Sequence, residues 1–247
     1  MNFLDLKDIS EKYIELLNPT SAEKILLAGK MAGLKPGSRV IEFGCGYGEV
    51  LALWGKHYGI TGVGIEIRPL ACQRARQKMA EKGLEGRIEI AEGPGAEYAF
   101  EPYSYDVGAC VGASFVWGEF SDALRALRKT LKPGGTIIIG EPYWVTDAVP
   151  PEWAQDQKDI HTELQLLQIA RAEGFEFSYI LHSSLDDWDR YEAANWYGLL
   201  RWLADHPDHP ERHEVINHLH ESQEEYLTVG RKYLGWALII LETLSSG

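Results

Sequence analysis

The stretch VIEFGCGYGEV, residues 40–50, decides the fold. Val40, Ile41 and Phe43 give it an apolar, β-branched start suited to a buried strand. Gly44, Gly46 and Gly48 follow at alternate positions. Glycine tolerates positive φ and lets a ligand approach the backbone where a Cβ would collide, so this spacing predicts a tight turn that faces a ligand. The next residues, EVLALWGKHYG, read as a helix. A dinucleotide fingerprint, GxGxxG, would need glycine at position 49, where the chain has Glu49, a carboxylate that would repel a pyrophosphate. No GK[ST] follows the glycines either, so a nucleoside-triphosphate loop is also excluded.

Working outward, apolar segments alternate with helical ones. ITGVGIEI (60–67) predicts a strand and residues 70–82 a helix; RIEIAEG and YDVGACVG predict two more strands; FSDALRALRKTL is amphipathic with helical period; GTIIIGE is a fifth strand. Strands and helices alternating at this length build a parallel sheet covered on both faces. Before the core, residues 3–17 have helical apolar spacing ended by Asn18 and Pro19, and a second helix is expected near 20–33. After Glu141 come a helix near TELQLLQIARAEG, a sixth strand in FEFSYILHSS, two helices from DDWDRYEAANWYGLLRWLADHP and ERHEVINHLHESQEEYLTVGRKYL, and a seventh strand in LGWALIILETL.

The glycine motif has an acidic partner. Glu42 stands near the end of the first strand, and Glu66 closes the second strand 18 positions after Gly48. Acidic-x-G-x-G-x-G followed by a second acidic residue resembles motif I of the class I S-adenosylmethionine (SAM)-dependent methyltransferases of small-molecule type (type 11/25-like). LKPGGTIIIGEPYW resembles the turn and fifth strand of the same enzymes. The segments NP at residues 18 and 19, ACVGA at 109–113, GEPYW at 140–144 and WDRYEAANW at 188–196 resemble one bacterial branch of them.

The resemblance implies a Rossmann-like α/β sheet of seven strands with the last antiparallel. It also implies a helical insertion between strands six and seven. We expect one domain over 1–247, divided into an N-terminal helical cap (1–34), a SAM-binding core (35–145) and a helical lid (182–233). It implies a SAM site in which Gly44, Cys45, Gly46 and Gly48 cradle the amino-acid moiety, Glu42 organises the loop, Glu66 accepts the ribose hydroxyls and Ile67 meets the adenine. Where the family usually has an Asp for the adenine amino group, the chain has Glu92, Gly93 and Pro94; Glu92 or a backbone carbonyl near Gly93 is the expected substitute, with Pro94 against the ring. Cys110 and Val111 are expected on the sulfonium side, and Tyr13 and the Asn18 turn are expected to fold over the cofactor. The product would be S-adenosylhomocysteine (SAH).

Ligands of open parallel sheets lie beyond the carboxyl ends of the strands, so Glu141, Tyr143 and Trp144 are the candidate catalytic residues on the acceptor side. Glu141 has two readings: a general base that removes the acceptor's proton, or a group that orders the strand end. GEPYW looks like the NPPY signature of DNA amino-methylating enzymes, but it follows the fifth strand rather than the fourth. Trp188, Tyr191, Glu192, Trp196 and Trp202 either pack the insertion or form an aromatic wall.

Composition bounds the function. The 247 residues carry 24 Lys and Arg against 37 Asp and Glu, a net charge of −13, and nearly all of the excess acid lies after residue 145. An acidic chain is a poor general binder of nucleic acid, which selects for cations. Small-molecule partners are expected, with no nucleic acid and no membrane, and the pattern leaves the oligomeric state unassigned. Three widely spaced cysteines outside any CxxC pair, and an N-terminus without a basic start and apolar run, predict a reducing, cytoplasmic setting with no metal site. The histidines between 206 and 220 lack metal-ligand order. The expected activity is methyl transfer from SAM to a small molecule by in-line displacement; a SAM-binding sensor without turnover and a protein or peptide methyltransferase are the alternatives.

Overall fold

The computed structural model describes residues 1–244, apart from the side chains of residues 152 and 156. The glycine motif joins β1 (Arg39–Phe43) to α3 (Glu49–Tyr58); before them come α1 (Phe3–Ser10) and α2 (Ala22–Met31). The core continues through β2 (Thr61–Glu66), α4 (Pro69–Glu81), β3 (Ile88–Glu92), β4 (Tyr105–Val111), α5 (Phe120–Arg128) and β5 (Leu131–Trp144). Then follow α6 (Pro151–Asp156), β6 (His161–Thr162), α7 (Glu163–Ala172), β7 (Glu176–His182), α8 (Leu185–Asp205), α9 (Arg212–Glu225), a π-helical turn over Tyr226–Gly230, α10 (Arg231–Tyr233) and β8 (Leu234–Glu242).

Seven strands form the order β3-β2-β1-β4-β5-β8-β7, parallel except that β8 lies antiparallel between β5 and β7. This is the α/β methyltransferase sheet the sequence predicts. An eighth strand, β6, is a two-residue ladder on Tyr143 and Trp144. Aliphatic residues at alternating positions feed both faces: Val40, Val107, Ile138 and Ile240 pack under α2 and α3, whereas Ile41, Ile137, Ile139 and Leu241 pack under α5 and α7. Trp54 of α3 is fully buried and donates its indole N–H to the Ile25 carbonyl at 2.8 Å, which fastens α2 to the core.

Two expectations are corrected. The helix expected over residues 3–17 ends at Ser10, with a 3₁₀ turn at Glu11–Tyr13 and extended backbone at Ile14. The chain leaves the helix so that Leu17 lies against Gly46, where a Cβ would stand 2.6 Å from its Cδ1. Tertiary packing outweighs helical periodicity here. The fifth strand, expected to end at Glu141, runs on to Trp144 because β8 pairs with it up to that residue and β6 takes its other edge.

The insertion is anchored by Asp187. Its carboxylate accepts from Ser184 N (2.8 Å), Ser184 Oγ (2.7 Å) and Arg190 (2.7 Å), and it pairs with Lys24 of α2. Burial raises the cost of its charge, but these donors outweigh it and hold the carboxyl below its ordinary value. A depressed carboxyl contributes stability above its unfolded pKa of 3.8, and that contribution is lost as pH falls through the lower folded value. Asp187→Ala is therefore expected to cost about 3 kcal/mol at neutral pH, as for removal of one partner of a buried pair, read as a lowered urea midpoint.

Candidate functional site: a cleft at the carboxyl ends of the parallel strands

Gly44, Gly46 and Gly48 all have positive φ (69°, 53° and 70°), so each needs glycine for its backbone alone. Gly44 and Gly46 line a cleft of about 460 Å³; Gly48 sits behind them, capping α3 against Ala75 and Met79 of α4. The volume falls within the range of small-molecule sites. α1 and the segment after it close one side with Phe3, Lys7, Glu11, Leu17 and Asn18.

Glu66 lines the cleft and is 6% exposed. Its carboxylate accepts from Gly46 N–H (2.9 Å), Ile67 N–H (3.0 Å) and Arg68 N–H (2.9 Å). A carboxylate offers about four lone-pair sites, so the protein's own backbone takes most of them. Arg68 completes the arrangement with Glu11 (2.7 Å), Asp8 (3.2 Å) and Glu66 (3.5 Å). Burial works against the Arg68 charge, but Glu11 more than compensates and holds its pKa above the ordinary value. Arg68 thereby ties α1 to the end of β2 and closes the cleft electrostatically.

Glu42 is 1% exposed and does not line the cleft; one of its carboxyl oxygens has no hydrogen-bond partner. Burial first, and the Glu66 charge second, push its pKa well up beneath the glycine turn. At the adenine end expected from the sequence, Ile67, Gly93 and Pro94 line the cleft together with Gly95 and Ala96. Glu92 lies outside it, 3.4 Å from Arg76, so backbone rather than Glu92 faces that end.

Strand alternation separates two residues expected side by side. Val111 lines the cleft with Gly112, but Cys110 points to the other face and is fully buried in the apolar layer under α5. Burial pushes the Cys110 thiol well up, which removes it as a nucleophile. Cys45 also lies outside, its sulfur packed against Gly64. Tyr13 faces away: its ring meets Tyr197 edge-on at 5.3 Å and lines a separate groove beside Asp187.

Asn18 does close on the cleft. Its Nδ2 donates to the Val111 carbonyl at 2.8 Å, and a Cβ at Gly112 (φ 77°) would stand 2.0 Å from its Oδ1. Gly112→Ala is therefore expected to displace the Asn18 segment and weaken SAH binding roughly tenfold or more, from about 1–2 kcal/mol of left-handed strain plus the lost contact, measured by calorimetric titration.

Gly112, Asn18, Phe115 and Tyr191 also line a second, adjoining pocket of about 280 Å³. Glu141 and Pro142 form part of its wall, with Trp188 and Trp236. Of the three candidate catalytic residues, only Glu141 faces it. Tyr143 is buried against Gly235 and His182, and Trp144 is buried in the ladder, because β5 extends past the position where it was expected to end. Glu141 is 7% exposed and its Oε1 has no partner. Burial pushes its pKa up to about 8, with Ser114 opposing.

Trp188 and Tyr191 therefore line this pocket, and Glu192 lines a chamber of about 300 Å³ behind them, its pKa pushed up to about 7 by burial. Trp196 packs on Tyr226 and Trp202 stacks on His206, both within the insertion. Sequence reasoning missed Gly112, Phe115, Arg68, Asp159 and Trp236. Gly112 and Phe115 follow the fourth strand and were legible as a strand end; Trp236 on the last strand carried no local signal. Among the described residues no group of three or more His, Cys, Asp or Glu is placed to hold a metal ion, the three cysteines are free, and no helix is long and apolar enough to cross a membrane.

The glycine turn, Glu66 at the end of β2 and the antiparallel last strand define the class I methyltransferase architecture. Residues 40–135 match the family described as "Methyltransferase domain". The SAM-dependent methyltransferase of Thiobacillus denitrificans, solved with S-adenosyl-L-homocysteine, superposes with a TM-score of 0.91 at 32% identity, covering 99% of this chain and 100% of that one. YjhP of Escherichia coli (strain K12) is 34% identical over 238 residues, 94% of this chain and 96% of that protein. A sarcosine/dimethylglycine N-methyltransferase of Aphanothece halophytica is 24% identical over 225 residues, 86% and 78% of the respective chains. The chain belongs to the SAM-dependent methyltransferase family.

Proposed function

We propose that the protein binds SAM in the cleft over Gly44 and Gly46 and transfers its methyl group to a small molecule held in the pocket beside Glu141. The observation that carries this reading is the shared wall of the two spaces: Asn18, Gly112, Phe115 and Tyr191 line both, so a donor on one side and an acceptor on the other would meet at Gly112. The cleft suits a nucleoside joined to an amino acid, with Ile67 and Pro94 to Ala96 for the ring and Glu66 with the glycine backbone for the polar part. Glu42 organises the turn from beneath.

When bound, SAM supplies an electrophilic methyl on a sulfonium. This chain's residues bind, orient and exclude water: α1, tied down through Arg68, covers the donor, and Trp188, Tyr191 and Trp236 enclose the acceptor. Such positioning is worth on the order of 7 to 11 kcal/mol of barrier. Glu141 takes the acceptor's proton. The pocket's 280 Å³ volume favours a small acceptor over a protein side chain presented on a folded surface, and the sarcosine/dimethylglycine enzyme is named for acceptors of that size.

The test is incubation with labelled SAM and a cell extract separated by size. Label in the small-molecule fraction supports the reading; label in macromolecules supports protein methylation; SAM binding with no label in either supports a sensor.

A further inference from the structure

The chemistry of the acceptor pocket selects among nucleophiles. Among the described residues its charged side chains are Glu141 and Asp159, and no Lys, Arg or His lines it. The rest of the wall is dominated by the aromatic side chains Phe115, Trp188, Tyr191 and Trp236. Lys7 lines the adjoining cleft and lies 3.6 Å from Glu11. Glu141 is 93% buried, lines this space, and has one carboxyl oxygen without a hydrogen-bond partner.

A carboxylate acceptor would enter such a pocket without a counter-ion, beside the Asp159 charge, and would oppose the ionisation of Glu141, which is costly at low dielectric. A neutral hydroxyl would satisfy the orphaned oxygen but gain nothing from the second carboxyl or the aromatic faces as a charge. An ammonium group gains all three: its charge favours the ionised form of Glu141 and pairs with it, it is drawn to Asp159 at longer range, and it makes cation–π contact with the ring faces.

We propose that the acceptor is a primary or secondary amine, docked with its nitrogen against the Glu141 carboxyl and enclosed by Trp188, Tyr191 and Trp236; this rests on the methyltransferase reading above. The acceptor ammonium gives one proton to the Glu141 carboxylate. The freed nitrogen lone pair forms the N–C bond as the sulfonium C–S bond breaks, and that bonding pair stays on sulfur. The products are a methylated ammonium and a neutral thioether, and Glu141 returns its proton to solvent.

The test uses three probes of one shape, n-butylamine, n-butanol and butyrate, titrated into the SAH-saturated protein and followed by tryptophan fluorescence. Saturable binding of the amine at least tenfold tighter than either isostere is expected, with the preference lost in Glu141→Gln and reduced in the rim variant Asp159→Asn. Butanol or butyrate binding as tightly, absence of saturable amine binding, or an unchanged preference in both variants would overturn the proposal. SAH saturation is measured first in the same cell, so failure to bind SAH counts against the methyltransferase reading and failure of the amine preference counts against the acceptor class alone.

Discussion

Glu66→Ala is expected to lower SAM and SAH affinity by about 10- to 150-fold, the equivalent of one charge-assisted hydrogen bond worth roughly 1.5 to 3 kcal/mol. The loss arises twice over. Any hydroxyl bonded directly to Glu66 loses its acceptor. In addition, the N–H groups of Gly46, Ile67 and Arg68 lose the carboxylate that fixes them, so the glycine turn itself relaxes. Arg68 would keep Glu11 and Asp8, so α1 should stay docked and the fold should survive. Calorimetric titration with SAH reads the effect. Glu66→Gln, which retains one carbonyl acceptor, should fall between wild type and Glu66→Ala; affinity unchanged in both variants would remove Glu66 from the site.

Glu141→Gln is expected to leave SAH affinity within about twofold and to lower methyl transfer by roughly 10²- to 10⁴-fold, the usual contribution of a general base. Because burial pushes the Glu141 pKa up to about 8, the basic form is populated only above that value. The wild-type kcat/KM should rise with pH through about 8, and that limb should be absent in the variant. Stability has the opposite sign. The folded carboxyl holds its proton up to about 8 whereas the unfolded one releases it near 4.5, so its contribution is complete below about 4.5 and is lost as pH rises through 8. Above pH ~8 the glutamine variant should accordingly melt at a higher temperature than wild type. A variant that turns over at the wild-type rate would assign Glu141 to ordering the strand end instead.

The two predictions act on two adjoining spaces. In the proposed reading Glu66 holds the donor side by fixing backbone, and Glu141 faces the acceptor side as a carboxyl kept out of water. Between them lie Gly112 and Asn18, whose close approach depends on the absence of a Cβ at 112. A substitution at that junction should perturb both ends together, which distinguishes it from either carboxylate variant.

The sequence by itself determined the local grammar. Glycine spacing, strand and helix periodicity and the acid at the end of β2 are short-range properties, set by backbone sterics and apolar spacing within a dozen residues. They located β1 through β5, the turn over the cleft, and Gly44, Gly46 and Glu66 along its edge; the family resemblance added Ile67 and Val111, and the rule that ligands lie beyond strand ends pointed to Glu141 in the adjoining pocket. Tertiary structure alone decided which side chains face the space. β8 pairing with β5 as far as Trp144 drew Tyr143 and Trp144 into the sheet, and alternation along β4 turned Cys110 inward. Leu17 packing on Gly46 ended the first helix early and carried Tyr13 outward while bringing Asn18 in. Trp236 reached the pocket beside Glu141 from a strand more than ninety residues further along the chain. Such outcomes depend on strand pairing and long-range packing, whose energies are set by partners distant in sequence, and no window of local pattern contains them.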